Sequence, residues 1–254
     1  MAHHYYCPPE NIAADGRTLT LTGDEAAHLI RVMRIKPGQA LSCFDGQGTR
    51  YECTVTAAGD TAVECAVLAA APGAAEPSVQ VTLYAGYPKG DKLEHIIQKA
   101  TELGAVRIVP FFSRFCVVTP KKEEQKNARY ARIAFEAVKQ SARDRIPAVE
   151  LPLSFAAMLR QLPEYDAALF CYEAQTGGPC LRECVEAAVQ KAAAESRAPR
   201  IAIITGSEGG FAPEEAQAAA AVSTPVGLGP RILRCETAPL AALTAVMAFT
   251  ENLE

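Results

Sequence analysis

Apolar positions along this chain change their spacing near residue 78. Before that point they alternate with polar ones in short runs: TLTLTG, ALSCFDGQGTRYECTVTAAG and AVECAVLAA. A period of two predicts half-buried strands. Asp45-Gly46-Gln47-Gly48 supplies turn residues between two of them. A helical pattern is confined to Asp24–Met33. Residues 1–72 are therefore expected to form a small β-rich domain, a barrel. APGAAEPS, Ala71 to Ser78, reads as a linker.

Beyond it, strand-like and helix-like segments alternate. VQVTLYAG is strand-like. In Asp91–Leu103, Leu93, Ile96, Ile97, Ala100 and Leu103 share one helical face. Asp91 with Glu94 has the spacing of a capping box, and Gly104 is the expected stop. VRIVPF follows as a strand, and Lys126–Gln140 as a helix. DAALFCY and RIAIIT are nearly continuous apolar runs, as central strands of a parallel sheet require. Helices are expected over Pro179–Ala194, Pro213–Ala221 and Glu236–Asn252. Residues 78–254 thus read as an α/β domain.

Composition narrows the partners. The 254 residues carry a net charge of −4, which excludes a uniformly basic surface. The charge is uneven: residues 86–147 hold thirteen basic and seven acidic side chains, whereas residues 1–75 hold five and eight. That middle segment is either a face for phosphates or a solvated helix surface. The nine cysteines include no Cys-x-x-Cys pair, and Cys180 with Cys184 has no matching second pair. No metal site is expected, and reduced thiols suit a cytoplasmic protein. Cys43, Cys53 and Cys65 fall in strand-like sequence and are expected to be buried. The opening MAHHYYCPPE lacks a basic segment followed by an apolar run, so no secretory signal is expected. The apolar stretch Ala238–Phe249 is too short to span a bilayer, so no membrane partner is expected.

Two loops concentrate the candidate chemistry. In IAIITGSEGGFAPEEA a buried strand runs into glycines and one acid, Glu208, before a helix opens at Pro213. Ligands of open α/β sheets bind at such strand ends. The loop is not G-x-G-x-x-G, and Glu208 disfavours a pyrophosphate, so a dinucleotide fits poorly. In TPVGLGPRILRCETAP, Arg231 and Arg234 stand three apart in a glycine-proline loop, Glu236-Thr237 can cap the next helix, and Pro239 falls in its first turn. The two arginines either pair with surface acids or serve a ligand.

GSEGGF and LGPRILRCETA resemble the signature loops of the RsmE-type 16S ribosomal RNA uridine N3-methyltransferases, of the SPOUT class. KGDKLEHIIQKATELGAVRIVPFFSRFCVV, FEAVKQSARDRIPAVE and HLIRVMRIKPGQALSCFDGQG are similar to further blocks of that family, in order along the chain. Ser207 stands where the family usually has proline, and Cys235 where threonine is usual. The resemblance implies S-adenosylmethionine as cofactor, a PUA-like RNA-binding β-barrel, a SPOUT-type α/β domain with a C-terminal trefoil knot, a homodimer, and a 16S rRNA substrate within the assembled small ribosomal subunit. It implies cofactor contacts at Tyr172, Glu173, Gly206, Glu208, Gly209, Leu228, Gly229, Ile232, Leu233 and Ala238. It implies catalytic roles for Arg231, Arg234 and Glu236, with the proton acceptor left open between Glu208 and Glu236. Arg31, Arg34, Lys89, Lys92, Lys99, Arg114 and above all Arg143 are the candidate RNA contacts. The competing reading is a non-catalytic RNA-binding protein on a methyltransferase fold.

Overall fold

The computed structural model describes residues 4–117, 123–173 and 177–253. The chain divides into two compact units, Met1–Glu76 with Val138–Ile146, and Pro77–Ala137 with Pro147–Glu254.

The first unit contains β1 (His4–Tyr6), β2 (Thr18–Leu21), α1 (Gly23–Ala27), β3 (Ala40–Phe44), β4 (Thr49–Ala58) and β5 (Val63–Pro72). They form one sheet in the order β1-β3-β4-β5-β2. β1 lies parallel to β3 and the other pairs are antiparallel. The β3–β4 turn forms at the residues its composition suggested. The Asp45 carboxylate accepts from the N–H groups of Gln47 and Thr49, at 2.7 and 3.0 Å. Cys43, Cys53 and Cys65 are buried with Leu19, Leu21 and Val55 in the core of this unit.

The expected helix Asp24–Met33 is only partly α-helical. α1 ends at Ala27, and His28–Met33 continues as a π-helix. The Arg34 N–H reaches back to Leu29 O, and Arg34 itself is left-handed at φ 51°. The wide turn buries Leu29 while Arg31, Val32, Met33 and Arg34 stay exposed.

Residues 71–78 are not a free linker. Ala71 and Pro72 pair with Arg50 and Thr49 inside the β4–β5 ladder. A Cβ at Gly73 would run into the Asp144 carboxylate. Glu76 accepts from the Arg143 guanidinium at 2.8 Å and from the N–H groups of Asp144 and Arg145 at 2.8 and 2.9 Å. Arg143, the foremost RNA candidate, is therefore interior. It is 2% exposed, and its charge is met by Glu76.

Asp144 is fully buried and accepts a two-pronged bond from Arg50, at 3.0 and 2.9 Å, with His4 at 3.1 Å. Burial pushes its carboxyl up, but the bonds from His4 and Arg50 outweigh this and hold it below the usual aspartate value. A carboxyl depressed in the folded state stabilises above its unfolded pKa and loses that contribution as pH falls through the folded one. Asp144→Asn is expected to cost stability at neutral pH. The gap between wild type and variant should close below about pH 4. Urea unfolding across that range checks it, and a pH-independent gap would reduce Asp144 to a packing residue.

The second unit contains β6 (Gln80–Gly86), α2 (Lys92–Glu102), β7 (Arg107–Phe112), α3 (Glu123–Ser141, whose last residues belong to the first unit), β8 (Ala148–Val149), β9 (Leu153–Ser154), α4 (Phe155–Gln161), β10 (Ala167–Cys171), α5 (Leu181–Ala194), β11 (Arg200–Thr205), α6 (Pro213–Ala220), β12 (Thr224–Val226) and α7 (Ala238–Phe249). Seven strands form a sheet in the order β12-β10-β11-β6-β7-β8, with β9 also on β7. Every pairing is parallel. β10 and β11 are interior, which explains their unbroken apolar sequence. Pro225 is tolerated because β12 is the edge strand.

Alternate residues feed two cores. Val81, Leu83, Ile201 and Ile203 meet Ile96, Val185 and Val246 of α2, α5 and α7 on one face. Tyr84, Phe170 and Ile204 meet Met158 of α4 and Ala216 of α6 on the other. α2 begins without the expected capping box. The Asp91 side chain makes no capping bond, and the Glu94 carboxylate is taken by Arg129 at 2.7 Å. Gly104 does end the helix, at φ 97°. α7 opens at Ala238 with Pro239 in its first turn. Neither Glu236 nor Thr237 caps it through a side chain; the Arg234 carbonyl accepts from Thr237 and Ala238 N–H, each at 2.9 Å.

Candidate active site

The parallel sheet brings the carboxyl ends of β10, β11 and β12 side by side. The three loops that leave them enclose one cavity of about 350 Å³. Tyr172 and Glu173 follow β10, Gly206 and Glu208 follow β11, and Leu228 to Glu236 follow β12, with Ala238 closing the wall. Sequence positions more than sixty residues apart thus share one site. Arg231, Arg234 and Glu236 are among its lining residues. Ile232 is 87% exposed and stands at the rim.

Gly209 does not line the cavity. A Cβ there would come within 2.6 Å of Phe115 Cβ and 2.9 Å of Phe115 O, so glycine is needed for the neighbouring segment to pack. Gly86, which sequence reasoning passed over, matters more. It ends β6, and a Cβ there would collide with the Ser207 backbone nitrogen and lie 2.7 Å from the Gly206 carbonyl carbon. Its only signal in the sequence was a glycine at a strand end. Gly86→Ala is expected to force the 206–207 backbone away, at about 1–3 kcal/mol of unfolding free energy. Urea unfolding checks this, and a neutral substitution would show that the loop moves freely.

The charged groups are arranged unlike the sequence expectation. Lys92, read as an RNA contact, sits in the cavity wall. Its ammonium lies 2.8 Å from Glu208 Oε1, 3.5 Å from Glu236 Oε2 and 3.8 Å from Cys235 Sγ. The Lys89 N–H also donates to Glu208, at 3.1 Å. Burial pushes the Glu208 carboxyl up, but the bonds from Lys92 and from backbone N–H groups hold it below its usual value. Glu236 is likewise lowered, by the Cys235 thiol, its own backbone N–H and Lys92. Both are carboxylates at neutral pH.

The Cys235 thiol donates to Glu236 Oε2 at 3.2 Å. Burial, with the neighbouring carboxylate, pushes it up to about 12, so it stays protonated and is no nucleophile. Arg231 and Arg234 are exposed and form no ion pair among the described residues. Of the other basic candidates, Lys99 pairs with Glu102 at 2.8 Å and Arg114 with Glu214 at 3.5 Å. Arg31, Arg34 and Lys89 are exposed.

Two hydroxyls of the site lack partners. Thr205 Oγ1 and Ser207 Oγ are buried without a hydrogen bond among the described residues, and both residues line the cavity. Unsatisfied buried hydroxyls beside a cavity are what a polar ligand completes. Leu228 and Leu233 add apolar wall. The set suits a ligand of mixed character, partly apolar and partly cationic. No group of three or more metal-ligating side chains occurs among the described residues.

Comparison with known proteins adds an identity to this geometry. Residues 75–247 match the RNA methyltransferase domain model, and residues 21–68 match the RNA methyltransferase PUA domain model. The chain is 35% identical to the ribosomal RNA small subunit methyltransferase E of Bacillus subtilis, over 93% of this chain and 92% of that protein. It is 32% identical to the Synechocystis protein of the same name, over 99% of this chain and 79% of that one. The crystal structure of the Neisseria gonorrhoeae enzyme of that name, bound to S-adenosyl methionine, superposes with a TM-score of 0.78 at 28% identity, covering 98% of both chains. The chain thus matches both an RNA methyltransferase PUA domain and an RNA methyltransferase domain, and its named relatives over most of its length: it belongs to the ribosomal RNA small subunit methyltransferase E family.

Proposed function

We propose that this chain methylates N3 of a uridine in 16S ribosomal RNA, with S-adenosylmethionine as methyl donor and the assembled small subunit as substrate. The observation that carries the reading is the single cavity at the ends of β10, β11 and β12, with two unpartnered hydroxyls, apolar wall and three carboxylate side chains. The residues fit the donor. Thr205 and Ser207 offer hydrogen bonds, Leu228 and Leu233 offer apolar contact, and Glu173, Glu208 and Glu236 complement positive charge. When bound, S-adenosylmethionine supplies an electrophilic methyl group on a positively charged sulfur.

The chain's own task is then to orient the uracil and handle its charge. Orientation of the attacking nitrogen is a large share of such catalysis. N3 lies on the Watson–Crick edge, so the uridine must be unpaired or flipped out. Its imide proton leaves more readily when negative charge on the uracil oxygens faces a cation. Arg231 and Arg234 supply that charge at the cavity, with no ion-pair partner among the described residues. Glu208 and Glu236, both held ionised, accept protons only weakly. They serve the positive side of the site better than they serve as bases.

RNA binding is assigned to the first unit and the basic rim, through Arg31, Arg34, Lys89 and Arg114. Phosphate contacts of this kind are shared among many residues. The reading extends to a homodimer: exposed Phe115, Val117 and Ile232 are apolar side chains a second copy can cover. It extends also to a threaded, trefoil-knotted C-terminus. After β12, at the sheet edge, the chain returns as α7 to pack on α2, α5 and the central strands, which supports such a path. A cytoplasmic location follows from this substrate, and no helix among the described residues is long and apolar enough to cross a membrane.

The test is methyl transfer. Protein, labelled S-adenosylmethionine and small subunits from cells lacking the endogenous enzyme are mixed, and the nucleosides are separated. Label in 3-methyluridine is the expected result. Cofactor binding without label would favour the non-catalytic reading.

A further inference from the structure

Among the charged groups of the cavity, the pairing is uneven. One cation, Lys92, meets two acids, while Arg231 and Arg234 form no ion pair among the described residues. Lys92 opens α2, Glu208 follows β11, and Glu236 precedes α7, so one ammonium ties together three separate parts of the chain. Glu236 is two residues from Arg234 and lines the same cavity as Arg231. In the absence of Lys92, either guanidinium is a natural partner for it, and a planar guanidinium binds a carboxylate in a two-pronged fork that an ammonium cannot form.

We propose that Lys92 is a positioning residue for RNA methylation: by occupying Glu208 and Glu236, it leaves Arg231 and Arg234 free for the substrate uridine. The proposal rests on the functional reading above.

The neighbourhood supports this assignment. Glu173, Arg231 and Arg234 are the remaining charged groups of the cavity. On the α2 side, Asp91 and His95 flank Lys92 in sequence, and Lys89 contributes its N–H to Glu208. α7, packed against α2, carries no titratable side chain. Cys235 donates its thiol hydrogen to Glu236 and is no competing cation. Lys92 is therefore the cation that holds Glu236 away from the arginines.

The experiment compares wild type with Lys92→Met, Lys92→Arg and the double variant Lys92→Met with Glu236→Gln. Three quantities are read: thermal unfolding, S-adenosylhomocysteine affinity by calorimetry, and kcat/KM on unmethylated small subunits, with filter binding of those subunits alongside. Lys92→Met is expected to lower kcat/KM and subunit affinity by about tenfold or more, the effect of losing one charge-assisted contact. S-adenosylhomocysteine affinity should change by less than about threefold. Lys92→Arg should retain most activity, since it still occupies the acids. The double variant should recover part of the loss, because the acid two residues from Arg234 is gone, while Glu208 and Glu173 still line the cavity.

An unaffected Lys92→Met variant would overturn the proposal. So would a folded double variant no better than Lys92→Met, or a loss that falls on S-adenosylhomocysteine affinity. Wild-type protein that binds S-adenosylhomocysteine but transfers no label would instead overturn the functional reading, and this assignment with it.

Discussion

Arg234→Ala is expected to lower turnover by about 10²–10³-fold while leaving S-adenosylhomocysteine affinity largely intact. The structure separates the two roles of this residue. Its carbonyl starts α7, accepting from Thr237 and Ala238 N–H. Alanine keeps that carbonyl, so the helix and the cavity wall should survive. The guanidinium has no ion-pair partner among the described residues and lines the cavity. A cation that acts only on charge developing in the transition state lowers kcat more than it raises KM when removed. Single-turnover kinetics and calorimetry on the same preparation distinguish the outcomes. An equal loss of S-adenosylhomocysteine binding would move Arg234 into the cofactor's surroundings and leave Arg231 as the candidate for the uracil.

Arg143→Ala is expected to destabilise the protein by about 3–5 kcal/mol, as for one partner removed from a buried ion pair. Arg143 is among the largest fully buried side chains, and Glu76 takes its guanidinium at 2.8 Å. Alanine leaves the Glu76 carboxylate with the N–H groups of Asp144 and Arg145 and no charge from position 143. The lost aliphatic stem adds a cavity to the cost. Chemical unfolding measures this directly. An RNA contact behaves differently: the substitution would barely change stability but would flatten the salt dependence of RNA binding by about one counterion. That second outcome would return Arg143 to the role its sequence context suggested.

The placement of Arg143 is instructive beside that of Lys92. Both are basic residues in a basic segment, and both were read as phosphate contacts. Each instead meets acids from distant parts of the chain: Glu76 lies 67 residues from Arg143, and Glu208 lies 116 residues from Lys92. The segment read as a linker does hold the boundary between the two units, after Glu76, but Gly73 and Glu76 have their partners at residues 143–145. The capping box at Asp91 failed because Glu94 is drawn off by Arg129, 35 residues away. By contrast, the Asp45 turn, the buried cysteines and the strand end at Thr205 lie where the local pattern put them.

From its sequence alone, this protein was determined to have a β-rich first part, an α/β second part, and glycine-rich loops at strand ends. Strand alternation, helical periodicity and glycine backbone freedom act over a few residues, so they are written locally. The tertiary structure decided which charges are neutralised. It placed Arg143 with Glu76, gave Lys92 to Glu208 and Glu236, left Arg231 and Arg234 without an ion pair among the described residues, and required glycine at position 86. Charge pairing and close backbone approach depend on groups brought together across long sequence separations, where the cost of an unpaired buried charge selects the partner.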